Sequence, residues 1–183
     1  MKITKRVLFV LSVAVLGACA VYYWQHGTSA HAGEFRDYNP AEHKAFILQE
    51  FKNNWRWLVE TPDYDVVFTF DTHSPSKHEA KYFGTMNIKI LYQEGKPVGF
   101  ITYYMRTDSE GDILFVEVNE AFRGRKLAEK MVRYALDEMK KMGATTVKML
   151  TYTGNVKAQK VYERIGFKEM YHDEGHIFYK YTY

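Results

Sequence analysis

At 183 residues the chain is long enough for one domain with a sizeable core. Its formal charge of +3 comes from Lys2, Lys5 and Arg6, the only charged residues before Glu34: removing those three from 25 Lys and Arg leaves 22, against 22 Asp and Glu. A neutral body argues against a bulk electrostatic draw to nucleic acid, and the single cysteine, Cys19, excludes an intrachain disulfide and any cysteine-based metal site.

The first 32 residues stand apart. Three cations precede 18 uncharged, mostly apolar residues, Val7 to Trp24, which read as a membrane-directed segment. As a helix this run would reach roughly 27 Å, just enough for a retained transmembrane anchor, with Tyr22, Tyr23 and Trp24 as an interfacial belt. Ala30-His31-Ala32 offers a small-x-small cleavage site, so a signal peptide fits as well. The run "LGAC" resembles a lipoprotein box on Cys19, although apolar residues continue past the cysteine and count against it. Because the cations come first, the body, residues 33–183, is expected on the non-cytoplasmic side.

Within the body, residues 33–40 read as a polar linker ending in a helix start. "AEHKAFILQEFKNNWRWLVE" carries Phe46, Ile47, Phe51, Trp55 and Leu58 on one face and predicts a first helix. "VVFTF" reads as a short strand before a polar loop around Ser74 to Lys77. "MNIKILYQ" and "PVGFITYYM", joined by a Gly-containing turn, predict a hairpin, and "ILFVEV" a third strand. Residues 125–143 form a long helix by their periodicity, with apolar Ala128, Met131, Val132, Ala135 and Met139. Its i, i+4 pairs are Glu129 with Arg133 and Asp137 with Lys141, and Gly143 stops it. "TTVKMLTY" follows as a strand.

"NVKAQKVYERIGF" then draws a short helix with Ala158, Val161, Tyr162 and Ile165 in one stripe, Asn155 as N-cap and Gly166 as C-cap. A closing hairpin ends the chain. Strands on both sides of the long helix imply a parallel pair, and the hairpins imply antiparallel neighbours. Together these predict an α/β fold with a mixed sheet and packed helices.

"VNEAFRGRKLAEKMV" is where chemistry can sit. A strand ends, a loop carries Arg123, Gly124, Arg125 and Lys126, and a helix begins, so free N–H groups and a helix dipole meet cations. Such a junction suits a pyrophosphate and is also what a solvated turn looks like.

Read with the later segment, this passage resembles the two signatures of the GNAT-type N-acetyltransferases. The first, an Arg/Gln-x-x-Gly-x-Gly/Ala loop after a strand, falls on Arg123, Gly124, Arg125, Lys126, Leu127 and Ala128. The second, Asn-x-x-Ala-x-x-x-Tyr-x-x-x-Gly-Phe, falls on Asn155, Ala158, Tyr162, Gly166 and Phe167. The resemblance runs from about residue 40 to the C-terminus. It implies a mostly antiparallel central sheet of six to seven strands with helices on both faces, behind the membrane-directed segment. It also implies acetyl-CoA as co-substrate, no metal, and a small-molecule or peptide amine as acceptor.

By that resemblance the loop residues 123–128 and Asn155 bind the co-substrate, with Val116 and Val118 in the splayed strand beside it. Tyr162 is implied as the general acid toward the CoA sulfur, against a packing role for its ring. Glu117 is the candidate base, with Tyr152 or ordered water as alternatives; its alternation opposite Val116 and Val118 leaves open whether it faces cleft or solvent. Lys126 departs from the pattern, which has glycine there, and so motivates an alternative: a membrane-tethered binding module that keeps the fold without turnover. His172 and His176 read as surface residues. The sequence leaves the oligomeric state unspecified.

Overall fold

The computed structural model describes residues 33–75 and 83–183. The segment expected to be membrane-directed lies outside these residues. Among those described, no helix is long and apolar enough to cross a membrane.

Seven strands form one sheet in the order β1-β2-β3-β4-β5-β7-β6. They are β1 (Glu34–Asp37), β2 (Phe83–Gln93), β3 (Lys96–Met105), β4 (Glu110–Val118), β5 (Thr146–Tyr152), β6 (Lys168–Asp173) and β7 (His176–Thr182). Every neighbouring pair is antiparallel except β4 with β5. Two tight hairpins set much of this register. Glu94 and Gly95 (φ 51 and 74°) turn β2 into β3, and Glu174 and Gly175 (φ 43 and 83°) turn β6 into β7. Two successive positive φ values match the right-handed twist of the flanking strands.

Among the described residues four helices cover the sheet. On one face lie α1 (Pro40–Leu58) and α2 (Val66–Thr72), over an aromatic core in which Phe51, Phe70, Phe100 and Phe115 meet edge-on or stacked. On the other lie α3 (Leu127–Lys141) and α4 (Val156–Ile165), which bury Met131, Val132, Ala135 and Met139 from α3 and Tyr162 and Ile165 from α4. The expected stripes are thus the buried faces.

Three expectations need correction. Residues 33–40 are not all linker, because Glu34–Asp37 adds an edge strand to β2; Phe35 stacks on Tyr134 at 4.0 Å and the Lys130 ammonium donates to the Gly33 carbonyl at 2.6 Å. "VVFTF" is helical rather than extended. Asp65 caps it by accepting from the Phe68 N–H at 2.8 Å, and burial of Phe70 among aromatic neighbours outweighs the strand propensity of its valines. Lys141 pairs with Glu138 at 2.6 Å, one residue nearer than Asp137, while Glu129 with Arg133 forms as expected at 2.9 Å.

Candidate active site

The site begins with a surplus residue. Thr102 of β3 pairs with Phe115, but Tyr103 pairs with Ile113, so Leu114 has no partner and β4 bulges there. Before the bulge, Ile113 faces α3. After it, Phe115 joins the aromatic core under α1 while Val116 and Val118 contact the α3 side. Glu117, alternating with those valines, therefore faces α1. This answers which way it points: it is 6% exposed and lines a cleft.

That cleft exists because β4 and β5 pair only at Glu110–Thr146, Gly111–Val147 and Asp112–Lys148, and then part. Beyond Asp112 the β4 edge has no strand partner on that side, which leaves backbone polar groups facing the opening. The cavity between the strands is about 1110 Å³.

At one end of the cleft, α3 begins. Gly124 and Lys126 both have left-handed backbone (φ 81 and 60°), and no side chain caps the helix, so the first-turn N–H groups stay open. Gly124, Lys126, Leu127 and Ala128 line the cleft, with Lys157 and Arg164 of α4 across from them. The pattern expects glycine at 126 because the position is left-handed. Lys126 adopts that conformation all the same and keeps an exposed side chain.

The loop cations do not converge on one point. Arg123 turns inward: its Nη2 donates to Glu117 Oε1 at 2.7 Å and to Asn54 Oδ1 at 2.9 Å, and its Nε donates to the Val118 carbonyl at 2.9 Å. Arg125 lies over the Phe122 ring at 5.0 Å. Lys157 and Arg164 were missed; both lie in the second signature, where the spacing drew attention only to its apolar stripe.

Glu117 is pushed up to about 7, chiefly by burial, with Arg123 lowering it and the Glu50 charge raising it. Tyr162 is 6% exposed, its ring edge-on to Tyr179 at 6.0 Å. Its phenol is raised well above the usual range, by burial first and then by the Glu117 charge. Among the described residues no buried side-chain nitrogen or oxygen lacks a hydrogen bond, and Tyr162 makes none. Its hydroxyl must therefore reach open space, and the residue lines the cleft. The ring is core, and the hydroxyl, though largely desolvated, meets the cleft.

Asn155 caps α4 by accepting from the Ala158 N–H at 3.3 Å and lines the cleft as well. His172 is exposed beside Glu169, but His176 is not a surface residue: it is 9% exposed, its ring 4.4 Å from that of Tyr152, and it lines the cleft. Asp112 is a second cleft carboxylate that the sequence did not single out. Burial pushes it up to about 7, against Arg106 at 3.2 Å. No group of three or more His, Cys, Asp or Glu among the described residues could hold a metal ion.

An uncapped helix start with two left-handed residues, facing a split between parallel strands, fits a pyrophosphate-bearing thioester co-substrate such as acetyl-CoA. Comparison with known proteins agrees. The profile of the Acetyltransferase (GNAT) family matches residues 44–167. A mycothiol acetyltransferase of Corynebacterium glutamicum is 28% identical over 102 residues, 56% of this chain and 34% of that protein, so the chain spans about a third of that relative's length. Among solved structures, a GNAT-family acetyltransferase of Staphylococcus aureus shares the fold at 17% identity and TM-score 0.63, covering 82% of this chain and 98% of that one. A Bacillus anthracis structure in complex with acetyl coenzyme A aligns at 19% identity and TM-score 0.50, over 54% of this chain and 63% of that one. The chain belongs to the GNAT acetyltransferase family.

Proposed function

We propose that the domain transfers an acetyl group from acetyl-CoA to a primary amine. The observation that carries this reading is the placement of Glu117 and Tyr162 in one cleft, the carboxyl poised near neutrality and the phenol without a protein partner. The first turn of α3, Gly124, Lys126, Lys157 and Arg164 hold the co-substrate's phosphates. The co-substrate supplies the acetyl as a thioester, so a C–N bond forms as a C–S bond breaks.

The acceptor enters as an ammonium of pKa about 10 and must lose a proton before it attacks. Glu117, with a pKa far closer to neutrality than that of a typical carboxylate, takes that proton. Tyr162 gives its hydroxyl proton to the departing sulfur, and the second N–H proton, shed as the C–N bond forms, leaves to solvent, from which Tyr162 is recharged through the cleft. Its raised pKa keeps the phenol protonated at neutral pH and makes it a weaker acid, so its donation relies on the charge that builds on sulfur as the C–S bond breaks.

The body of the acceptor rests on the far arm of the cleft, where Trp57, Tyr64, Tyr152, Tyr171 and Phe178 present rings. Tyr171 and Phe178 stack at 4.5 Å. This favours amines carried on a flat or apolar group. Residues 7–24 anchor the domain at a membrane or direct it across one, and fractionation of cells expressing the full chain tests that part.

A binding module without turnover is the competing reading, motivated by Lys126. Its left-handed backbone keeps the conformation that glycine would have supplied, which favours the enzyme. The test is calorimetric binding of acetyl-CoA, followed by CoA release across a panel of primary amines. Micromolar binding with release for at least one amine supports transfer. Binding without release from any amine supports the module.

A further inference from the structure

Resting on the reading of Glu117 as proton acceptor, we propose that Glu50, Asn54 and Asn119 form, with Arg123, a positioning network that fixes the Glu117 carboxylate in the cleft and governs its charge state. Arg123 occupies the first position of the phosphate-loop signature, yet its guanidinium is directed inward.

The connections are short and continuous. Arg123 holds Glu117, Asn54 and the Val118 carbonyl with two of its nitrogens. Behind it, Glu50 of α1 is 2% exposed and accepts from Asn119 Nδ2 at 2.6 Å and from Asn54 Nδ2 at 3.4 Å. Asn119 in turn accepts from the Ala121 N–H at 3.2 Å, which starts the short 3-10 turn Glu120–Phe122 leading into Arg123. One buried carboxylate thus holds both the asparagine that Arg123 contacts and the asparagine that launches its loop.

The backbone of α1 bends to make this possible. Asn54 leaves helical geometry (φ −126, ψ 15°), and its amide joins Glu50 on one side to Arg123 on the other. A helix interior does not favour asparagine, so the kink needs a compensating contact, and the network supplies it.

Packing alone does not account for a charge at 50. Ile47 and Phe51, on the same face, are apolar and buried as expected. A surface ion pair would add little, but Glu117 is buried, so a single guanidinium hydrogen bond has large leverage over its proton. The charged and titratable groups that act on Glu117 come from three elements: Arg123 from its own loop, Glu50 from α1 and Tyr162 from α4. Arg123 favours the charged carboxylate and Glu50 opposes it. Removing each must therefore move Glu117 in opposite directions, which a purely structural role would not do.

The experiment is a carbon-13 NMR titration of the full chain labelled at glutamate carboxyls, with Glu117→Gln identifying the resonance. Glu50→Gln is expected to lower the Glu117 midpoint and Arg123→Gln to raise it, each by about 1 pH unit. Arg123→Lys, which keeps the charge and loses the fork, should return the midpoint part of the way. Midpoints that stay put, or that move together, overturn the network. Circular dichroism checks folding; if Glu50→Gln does not fold, the Arg123 variants decide alone, and no upward move overturns the proposal. The titration needs no acceptor amine, so it is separate from the base assignment, which fails if Glu117→Gln transfers acetyl with an unchanged pH profile.

Discussion

Asp112 of β4 and Lys148 of β5 are the last residues to pair before the two parallel strands separate. Everything that gives the domain its chemistry lies beyond that pair. Lys148 bonds to Glu110 at 2.9 Å, and Asp112 to Arg106 at 3.2 Å, so ion pairs flank the apex of the cleft beside the buried Val147 and Met139.

That apex makes stability depend on pH. Asp112 and Glu117 are both held near 7 in the folded chain, against 3.8 and 4.5 for free side chains. Between those values the native state keeps protons that the unfolded state has lost, so stability falls as pH rises from about 4.5 to about 7. Chemical denaturation at pH 5 and pH 8 should show the domain more stable at pH 5 in this respect. Asp112→Asn and Glu117→Gln should each flatten the dependence, and an unchanged slope in both would refute the assignment.

For the reaction, Glu117→Gln should lower kcat by about 10²- to 10⁴-fold, the usual range for a general base. In the wild type, kcat/KM should rise as pH passes through about 7, because the carboxylate form is required. The variant should lose that limb while its KM for acetyl-CoA stays close to wild type.

Tyr162→Phe separates chemistry from packing. The hydroxyl makes no protein hydrogen bond, so its loss should change stability by under about 1 kcal/mol, and acetyl-CoA binding should persist. Turnover should fall by roughly 10²-fold or more, since a proton donor to the sulfur is gone. A variant with full activity would leave Tyr162 as a core aromatic.

Lys126 tests the loop in two steps. Lys126→Gly should stabilise the domain by up to about 1 kcal/mol, because glycine takes the left-handed conformation without a Cβ clash. Lys126→Ala keeps the clash and should show no such gain. Both remove the charge, so an equal loss of acetyl-CoA affinity in the two would identify the lysine as a phosphate contact.

Much of this is legible in the sequence itself. The stripe of α4, the long α3 helix and both signatures are local patterns, and local periodicity survives into the fold. The elements misread were those decided at long range. Val66–Thr72 is helical because Phe70 has aromatic partners far along the chain, and Glu34–Asp37 is a strand because β2 offers an edge. The site divides the same way. Tyr162 is singled out by the resemblance of its segment to the second signature, whereas the inward turn of Arg123 depends on Asn54 and Glu117, which meet only in three dimensions. Glu50 left a faint trace: His43, Ile47, Glu50 and Asn54 share one helical face, and an acidic residue on a buried face signals a polar partner.

The unpaired Leu114 has the widest reach. Each residue of a regular strand reverses the face of the one before it, but Leu114 and Phe115 both join the aromatic core under α1, so the bulge is what brings Glu117 out on the face opposite Ile113. A chain shortened by Leu114 would return to plain alternation and keep Phe115 and Glu117 toward α1, whereas a β4 of unchanged length that lost the bulge would turn both toward α3 and present Val116 to α1. The side on which Glu117 emerges is thus set by parity as well as by residue type, and the bulge absorbs the one residue that would otherwise turn it away from the cleft.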